Sequence, residues 1–84
     1  MMMSETNYMS AYPNPVQNEL TINIDKPERL PAKLLIFNTN HQLLIEKDIY
    51  IARSHIDLSS LRSGLYMAVV QEGSNSYMEK IINL

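Results

Sequence analysis

Strict alternation of apolar and polar residues first appears in the segment 19–24, where leucine and isoleucine are separated by Thr21 and Asn23. A period of two places successive side chains on opposite faces of an extended chain, so this segment predicts a strand with one buried face. Residues 34–37 are instead apolar in succession, which predicts a central strand that is covered on both faces. Two strands of different kinds are therefore expected in the first half of the chain.

The segment 42–49 is predicted to be a third strand, and its charged second half places it at the edge or rim of a sheet. The link 38–42 before it predicts a tight hairpin turn. Asn40 suits the positive φ that such a turn requires, and His41 suits it less well. We expect the chain to reverse its direction at this point.

The second half of the chain repeats the pattern of short apolar segments separated by turn residues. A short strand is predicted at 55–58, a turn at 59–63, and the strongest strand candidate at 65–71. A turn cluster at 72–75 and a last strand at 76–84 complete a final hairpin. Six or seven short strands without a helical period favour an all-β fold, an immunoglobulin-like antiparallel β-sandwich.

The domain organisation follows from length and local composition. A chain of 84 residues holds one domain, and because it has no cysteine its stability depends on burying aliphatic, methionine and tyrosine side chains. Residues 1–11 lack periodicity, so we expect them to be a disordered leader or an expression remnant without a role in the fold. The domain is expected to span residues 12–84, and it begins with Pro13 and Pro15, which favour an extended piece at a sheet edge.

Composition argues against two classes of partner. A net charge of −2 without a cluster of lysine or arginine gives no electrostatic footprint for nucleic acid. The longest apolar stretch, 65–70, is far shorter than the roughly 20 residues of a membrane-spanning helix. The first residues also lack the basic and apolar regions of a signal peptide. We therefore expect no nucleic-acid partner and no membrane span, while the cellular compartment stays open.

Residues with catalytic or metal-binding chemistry are few and scattered. His41 and His55 have no partner at a metal-ligand spacing, so we expect both to be solvated and expect neither a metal nor a cofactor. Asp57 is followed by two serines and resembles part of a catalytic triad, but a carboxylate that caps a turn is the simpler interpretation. Glu46 and Asp48 are expected to lie on a solvated strand face. The sequence therefore predicts that the protein is not an enzyme.

Four of the five tyrosines leave two interpretations open. They form either a platform on which sugar rings stack or ordinary half-buried strand packing, and the second is the simpler. Their positions are Tyr12, Tyr50, Tyr66 and Tyr77. Met67 and Met78 are predicted to fill the core on facing strands of the last hairpin.

Three short motifs stand at fixed places among these segments. The first opens the domain, the second precedes the most apolar run, and the third closes the chain. They are Tyr12-Pro13-Asn14-Pro15, Leu61-Arg62-Ser63-Gly64-Leu65-Tyr66 and Lys80-Ile81-Ile82. In their order and spacing they resemble the C-terminal sorting domain of proteins exported by the type IX (Por) secretion system of Bacteroidetes, and the resemblance covers about residues 12–84.

The resemblance implies that the domain is a protein address. It implies a seven-stranded immunoglobulin-like sandwich at the end of a cargo protein, which passes through the periplasm and is recognised by the outer-membrane secretion machinery. A cell-surface sortase commonly removes such a domain, and the cargo reaches the cell surface or the medium. The recognition residues implied are Pro13, Asn14, Pro15, Gly64, Tyr66, Lys80, Ile81 and Ile82. The family usually has glycine where His41 stands.

A second class of function stays open beside the first. The chain is alternatively a stand-alone secreted or periplasmic immunoglobulin-like module that binds protein or carbohydrate through its loops or tyrosines. A long reading frame upstream of Tyr12 would favour the sorting domain, whereas a signal peptide just upstream would favour the independent module. The sequence does not identify a cargo, a cleavage event or an oligomeric state.

Overall fold

The computed structural model describes residues 8–13 and 15–84, which form seven strands in two sheets. The strands are β1 (Met9–Tyr12), β2 (Glu19–Ile24), β3 (Ala32–Phe37), β4 (Leu43–Ile49), β5 (Arg53–Asp57), β6 (Gly64–Glu72) and β7 (Asn75–Asn83). A three-stranded sheet has the order β1-β2-β5 and a four-stranded sheet the order β4-β3-β6-β7, with every neighbouring pair antiparallel. This architecture confirms the predicted all-β, immunoglobulin-like sandwich.

The core lies between the two sheets and is built by the alternation visible in the sequence. Leu20 and Ile22 of β2 are fully buried, as expected for a strand with one buried face. Leu34 and Ile36 of β3 belong to the same core. Leu35 faces the opposite side and is still only 9% exposed, because β3 is flanked by β4 and β6. The prediction of a central strand covered on both faces is therefore confirmed.

The domain begins earlier than the expected boundary at residue 12. Strand β1 starts at Met9 and pairs with β2, so that Met9 lies opposite Ile24. Tyr8 and Met9 are each 2% exposed and Ala11 is 8% exposed, so residues 8–11 belong to the core and not to a leader. Small residues and methionine give a weak period of two, and only pairing with β2 shows that this segment is a strand. The rest of the expected leader, residues 1–7, lies outside the described residues.

The turn between β3 and β4 confirms the predicted hairpin but changes which residue carries the positive φ. His41 has a φ of 64°, whereas Asn40 is not among the residues with positive φ. The Asn38 side chain organises the turn, because its Oδ1 accepts hydrogen bonds from the backbone N–H groups of Asn40 (2.9 Å) and Gln42 (3.0 Å). Strand β4 lies at the end of its sheet, as its charged second half predicts.

Candidate recognition site

The first and third motifs meet at one end of the sandwich. Val16, which follows the two prolines, is fully buried and forms an isolated parallel bridge with Asn83. The Val16 N–H donates to the carbonyl of Ile82 (2.8 Å), and the Leu84 N–H donates to the carbonyl of Val16 (2.9 Å). These two hydrogen bonds join the segment after Pro15 to the end of β7 and to the residue that follows it.

The second and third motifs are cross-strand neighbours in the β6–β7 ladder. Gly64 lies opposite Asn83, Leu65 lies opposite Ile82, and Tyr66 lies opposite Ile81. Gly64 has a φ of 154°, and a Cβ placed there would meet no atom within 4 Å. Glycine is therefore required at this position by the backbone conformation and not by crowding.

Asn83 is the residue that connects all three segments. Its side chain is 1% exposed, and its Oδ1 accepts a hydrogen bond from the Asn18 N–H (3.4 Å). Its Nδ2 group donates to the carbonyl oxygens of Leu61 (3.3 Å) and Arg62 (3.4 Å). We call Val16, Asn18, Leu61, Arg62 and Asn83 the motif junction. A buried amide that uses both its donor and its acceptor fixes the relative position of the groups it binds.

The loop before β6 is held against this junction by one local and one long-range hydrogen bond. The Tyr66 hydroxyl donates to the Arg62 carbonyl (2.7 Å), and the Leu58 N–H donates to the Asn18 carbonyl (2.7 Å). Asp57 caps the turn as predicted, because its Oδ1 accepts a hydrogen bond from the Ser59 N–H (2.9 Å). That hydrogen bond lowers the pKa of the Asp57 carboxyl below its ordinary value of 3.8.

The eight residues implied for recognition divide into two groups with different surroundings. Tyr66 is 8% exposed and Ile81 is 1% exposed, so both face the core. Those on the surface are Pro13, Pro15, Gly64, Lys80 and Ile82. The remaining residue, Asn14, lies outside the described residues. The sequence prediction therefore combined buried residues that build this end of the sandwich with residues that lie on its surface.

Sequence reasoning missed the two residues at the centre of the junction, Val16 and Asn83. Asn83 follows two isoleucines near the end of the chain and belongs to no periodic pattern that sets it apart. Its burial depends on strand β7 lying beside both the β6 entry loop and the segment after Pro15. Only the topology of the sandwich could have identified it.

Among the described residues, the candidate histidines and Asp57 lie apart from one another, whereas Glu46 and Asp48 share the Lys33 ammonium as a partner, at 2.9 and 3.9 Å. His55 on the three-stranded sheet contacts the Thr21 hydroxyl through Nδ1 (3.1 Å), and Lys33 on the other sheet bonds Glu46 (2.9 Å). The Glu46 carboxylate raises the pKa of the Lys33 ammonium above its ordinary value of 10.5. Residues 8–13 and 15–84 contain no cluster of three or more potential metal ligands and no helix long and apolar enough to cross a membrane.

The tyrosines do not form one platform among the described residues. Tyr12 belongs to the three-stranded sheet, Tyr50 follows β4 of the other sheet, and Tyr66 faces the core. Tyr77 stacks on Tyr8 with ring centroids 4.8 Å apart. Tyr66 and Tyr77 therefore pack as the simpler interpretation predicted, whereas Tyr12 and Tyr50 are 41% and 69% exposed and do not.

The fold and the convergence of motifs define a class of protein. Residues 10–83 match the family model of the secretion system C-terminal sorting domain, and the chain belongs to this family. It is a sorting signal of type IX secretion, which acts with the secretion machinery in export across the outer membrane to the cell surface or the extracellular space. The predicted resemblance is thereby confirmed.

The same fold is found in a solved structure of a component of the type IX secretion system. PorZ of Porphyromonas gingivalis, described as an essential bacterial surface component of the type IX secretion system, is 17% identical with a TM-score of 0.75. The alignment covers 90% of this chain and 11% of the PorZ chain, so the chain spans only about a ninth of that protein. The comparison with curated proteins gives no match.

Proposed function

We propose that the domain is a non-catalytic address that outer-membrane components of the type IX machinery bind at the end of the sandwich that carries the motif junction. The observation that supports this best is the convergence of the three motifs, which are far apart in sequence, around one buried asparagine. Val16 forms backbone hydrogen bonds with Ile82 of β7 and with Leu84 just after it, and the Asn83 side chain bonds the loop before Gly64. Such an arrangement holds the surface residues of the three motifs in a fixed geometry, so that a partner protein can bind them without the need for a pocket.

The surface at this end is suited to recognition and not to chemistry. Asp57, the carboxylate nearest in sequence to the loop before β6, is occupied by the Ser59 N–H. His55 lies on the three-stranded sheet, and His41 lies in the hairpin turn of the other sheet. General acid–base catalysis requires such groups within hydrogen-bond reach of one another and of a substrate. These contacts support the proposal that other proteins bind this domain and that the domain itself has no catalytic activity.

The route of the protein is a further part of the proposal. A sorting domain that is exported across the outer membrane must first reach the periplasm, and we place the folded sandwich there in transit. A cell-surface sortase then separates it from its cargo. Family membership supports both steps.

The experiment attaches residues 1–84 to the C-terminus of a fluorescent reporter that carries a signal peptide. The fusion is expressed in a Bacteroidetes host with a working type IX system and in a mutant host without one, and a reporter that lacks residues 8–84 is the control. We expect surface or extracellular reporter only in the first host and only with the domain attached. A smaller reporter mass at the surface would reveal cleavage.

Retention in the periplasm of both hosts would contradict the proposal and would favour the stand-alone binding module. Deleting residues 80–84 is a poor test of recognition, because the deletion also removes buried Ile81 and Asn83. Loss of export after that deletion would therefore reflect unfolding as well as lost contacts. Substitutions that change only outward-facing residues separate the two effects.

A further inference from the structure

One end of the outward side of the four-stranded sheet carries a row of polar side chains. Lys33 of β3 lies opposite Asp48 of β4 on one flank and opposite Gln71 of β6 on the other. The neighbours of these residues along each strand, such as Ala32 and Val70, are buried in the core, so the row itself points away from it. Three adjacent strands thus present a carboxylate, an ammonium and an amide on one surface.

The methionines of the last hairpin lie further along the same outward side. Met67 and Met78 were predicted to fill the core, but neither belongs to the core cluster, and Met78 is 57% exposed. The prediction was wrong because both alternate with inward residues of their strands, as Met67 does with buried Tyr66 and Ala68. The polar row is therefore chemically distinct from the part of this side that carries methionine.

An open cavity of about 320 Å³ lies at the polar row. Besides the three residues of the row, its lining includes Tyr50, which follows β4, and Gly73 in the turn between β6 and β7. We call this space the Tyr50 cavity. Sites for small ligands measure about 300–1,000 Å³, so a cavity at the lower end of that range suits a ligand of about one ring.

Tyr50 is an exposed aromatic residue with a restrained side chain. It is 69% exposed and lies outside the core cluster. Its hydroxyl donates a hydrogen bond to Oδ2 of Asp48 (3.3 Å), two residues earlier in the chain. Because the ring packs little in the free domain, its apolar surface is available to a ligand that stacks on it.

The charges at the Tyr50 cavity argue for a neutral ligand. The Lys33 ammonium lies 2.9 Å from the Glu46 carboxylate and 3.9 Å from the Asp48 carboxylate. Two carboxylates repel an anion, and the ammonium between them opposes a second cation. A neutral molecule with hydroxyl groups is compatible with both, since a carboxylate accepts hydrogen bonds and the Gln71 amide can donate and accept them.

We propose that the Tyr50 cavity binds a neutral sugar ring, which stacks its C–H groups on Tyr50 and forms hydrogen bonds from its hydroxyl groups to Asp48 and Gln71. This site goes beyond the proposed function and is separate from it in space. Gln71 lies seven positions along β6 from Gly64, which is about 23 Å at ~3.3 Å per residue. A sugar in the cavity and a protein at the motif junction can therefore be bound at the same time.

The test titrates the isotope-labelled chain with the methyl glycosides of glucose, galactose and mannose and follows the backbone amides by NMR. We expect the amides of Lys33, Asp48, Tyr50 and Gly73 to shift with one common Kd of about 1 mM for at least one of the three, because so small a ligand makes few contacts. Amides of the motif junction are the internal reference and should not shift. Glucuronate and glucosamine should bind at least about threefold more weakly, because each carries a charge.

Substitutions with matched controls locate the contact. Tyr50→Ala should weaken binding about tenfold, which corresponds to about 1.4 kcal/mol. Tyr50→Phe keeps the ring and should stay within about threefold, and Ile51→Ala, at the next residue, which is 63% exposed, should stay within about twofold. Gln71→Ala should weaken binding about threefold, which the same truncation at exposed Gln17 should not do. Unfolding midpoints verify that every variant folds.

Three results would overturn the inference. The first is the absence of a saturable shift at the lining amides with all three glycosides. The second is tighter binding of glucuronate or glucosamine, which would reject a neutral ligand. The third is equal affinity of Tyr50→Ala and the unsubstituted chain, which would show that the ring makes no contact. Export of the reporter fusion is a separate readout, so failure of the sugar site leaves the proposed function intact, and failure of export leaves the sugar site intact.

Discussion

The inward and outward sides of the β6–β7 hairpin carry different parts of the same motifs. On the inward side, Tyr66 and Ile81 lie opposite each other in the core, and Asn83 closes the motif junction. On the outward side, Leu65 and Ile82 form the adjacent pair and are about half exposed. Because side chains alternate along a strand, neighbouring residues of one motif have unrelated physical roles.

This difference shows how a motif should be tested in a sorting domain of this kind. Inward residues determine whether the sandwich folds, and their loss would abolish recognition indirectly. Outward motif residues such as Leu65 and Ile82 are about half exposed, so their substitution should disturb folding less and report more directly on binding. The following predictions extend the contrast from the largest expected effect to the smallest.

Ile81→Ala is expected to have the largest effect on stability, because it opens a cavity in a core where Ile81 is 1% exposed. We expect the free energy of unfolding to fall by about 2–5 kcal/mol, measured by urea denaturation. Ile82→Ala removes the same atoms from the next residue, which is 48% exposed, and should cost less than about 1 kcal/mol. Equal losses at the two positions would contradict the division between the two sides.

Asn83→Ala should destabilise the domain by about 1–3 kcal/mol, because it removes the side chain that bonds the Leu61 and Arg62 carbonyls and the Asn18 N–H. Asn75→Ala, at the exposed start of the same strand, is the matched control and should change stability by less than about 0.5 kcal/mol. Urea denaturation measures both changes. A neutral Asn83→Ala would show that the junction does not depend on its amide.

Two tyrosine substitutions are expected to change stability in opposite directions. The Tyr66 hydroxyl donates to a carbonyl, so Tyr66→Phe should cost about 1 kcal/mol. The buried Tyr8 hydroxyl has no hydrogen-bond partner among the described residues, so Tyr8→Phe should stabilise the domain by about 1 kcal/mol. Thermal and urea unfolding measure both. Destabilisation by Tyr8→Phe would reveal a partner for its hydroxyl.

Alkaline pH provides a second test of Tyr8. Burial raises the pKa of the Tyr8 phenol above its ordinary value of 10.0, and the Glu72 carboxylate adds to the increase. The unfolded chain then ionises Tyr8 first, so stability is complete below pH 10.0 and is lost as the pH rises toward the folded-state pKa. Tyr8→Phe should weaken this loss in urea titrations between about pH 9 and 11. An unchanged pH dependence would contradict the assignment to Tyr8.

The smallest expected effect concerns the turn that leads into the hairpin. The Ser59 N–H lowers the pKa of the Asp57 carboxyl, so its stabilisation is present above pH 3.8 and is lost as the pH falls through the lowered value. Asp57→Asn keeps an acceptor for the turn but cannot ionise, and should reduce the acid dependence of unfolding. If the original chain and Asp57→Asn lose the same unfolding free energy as the pH falls, the Asp57 carboxylate is not the titrating group.

Much of the fold could be predicted from local patterns, and the errors have physical reasons. The alternation at residues 19–24 and the apolar run before Asn38 gave the right strands, because their patterns extend over several residues. Strand β1 was missed because Met9, Ser10 and Ala11 carry a faint pattern, and pairing with β2 makes it a strand. At the hairpin turn, the Asn38 side chain accepts a hydrogen bond from the Asn40 N–H. The positive φ that the sequence assigned to Asn40 is found instead at His41.

The sequence by itself determined the class of fold and the family, because period-two segments and the order of three motifs are properties of the linear chain. Only the tertiary structure decided which motif residues are buried and which are exposed. Asn83 bonds Asn18 across a separation of 65 residues, and Ile81 and Ile82 differ only in the side of the sheet they face. Such long-range contacts depend on how the two sheets pack, and no local pattern contains that information.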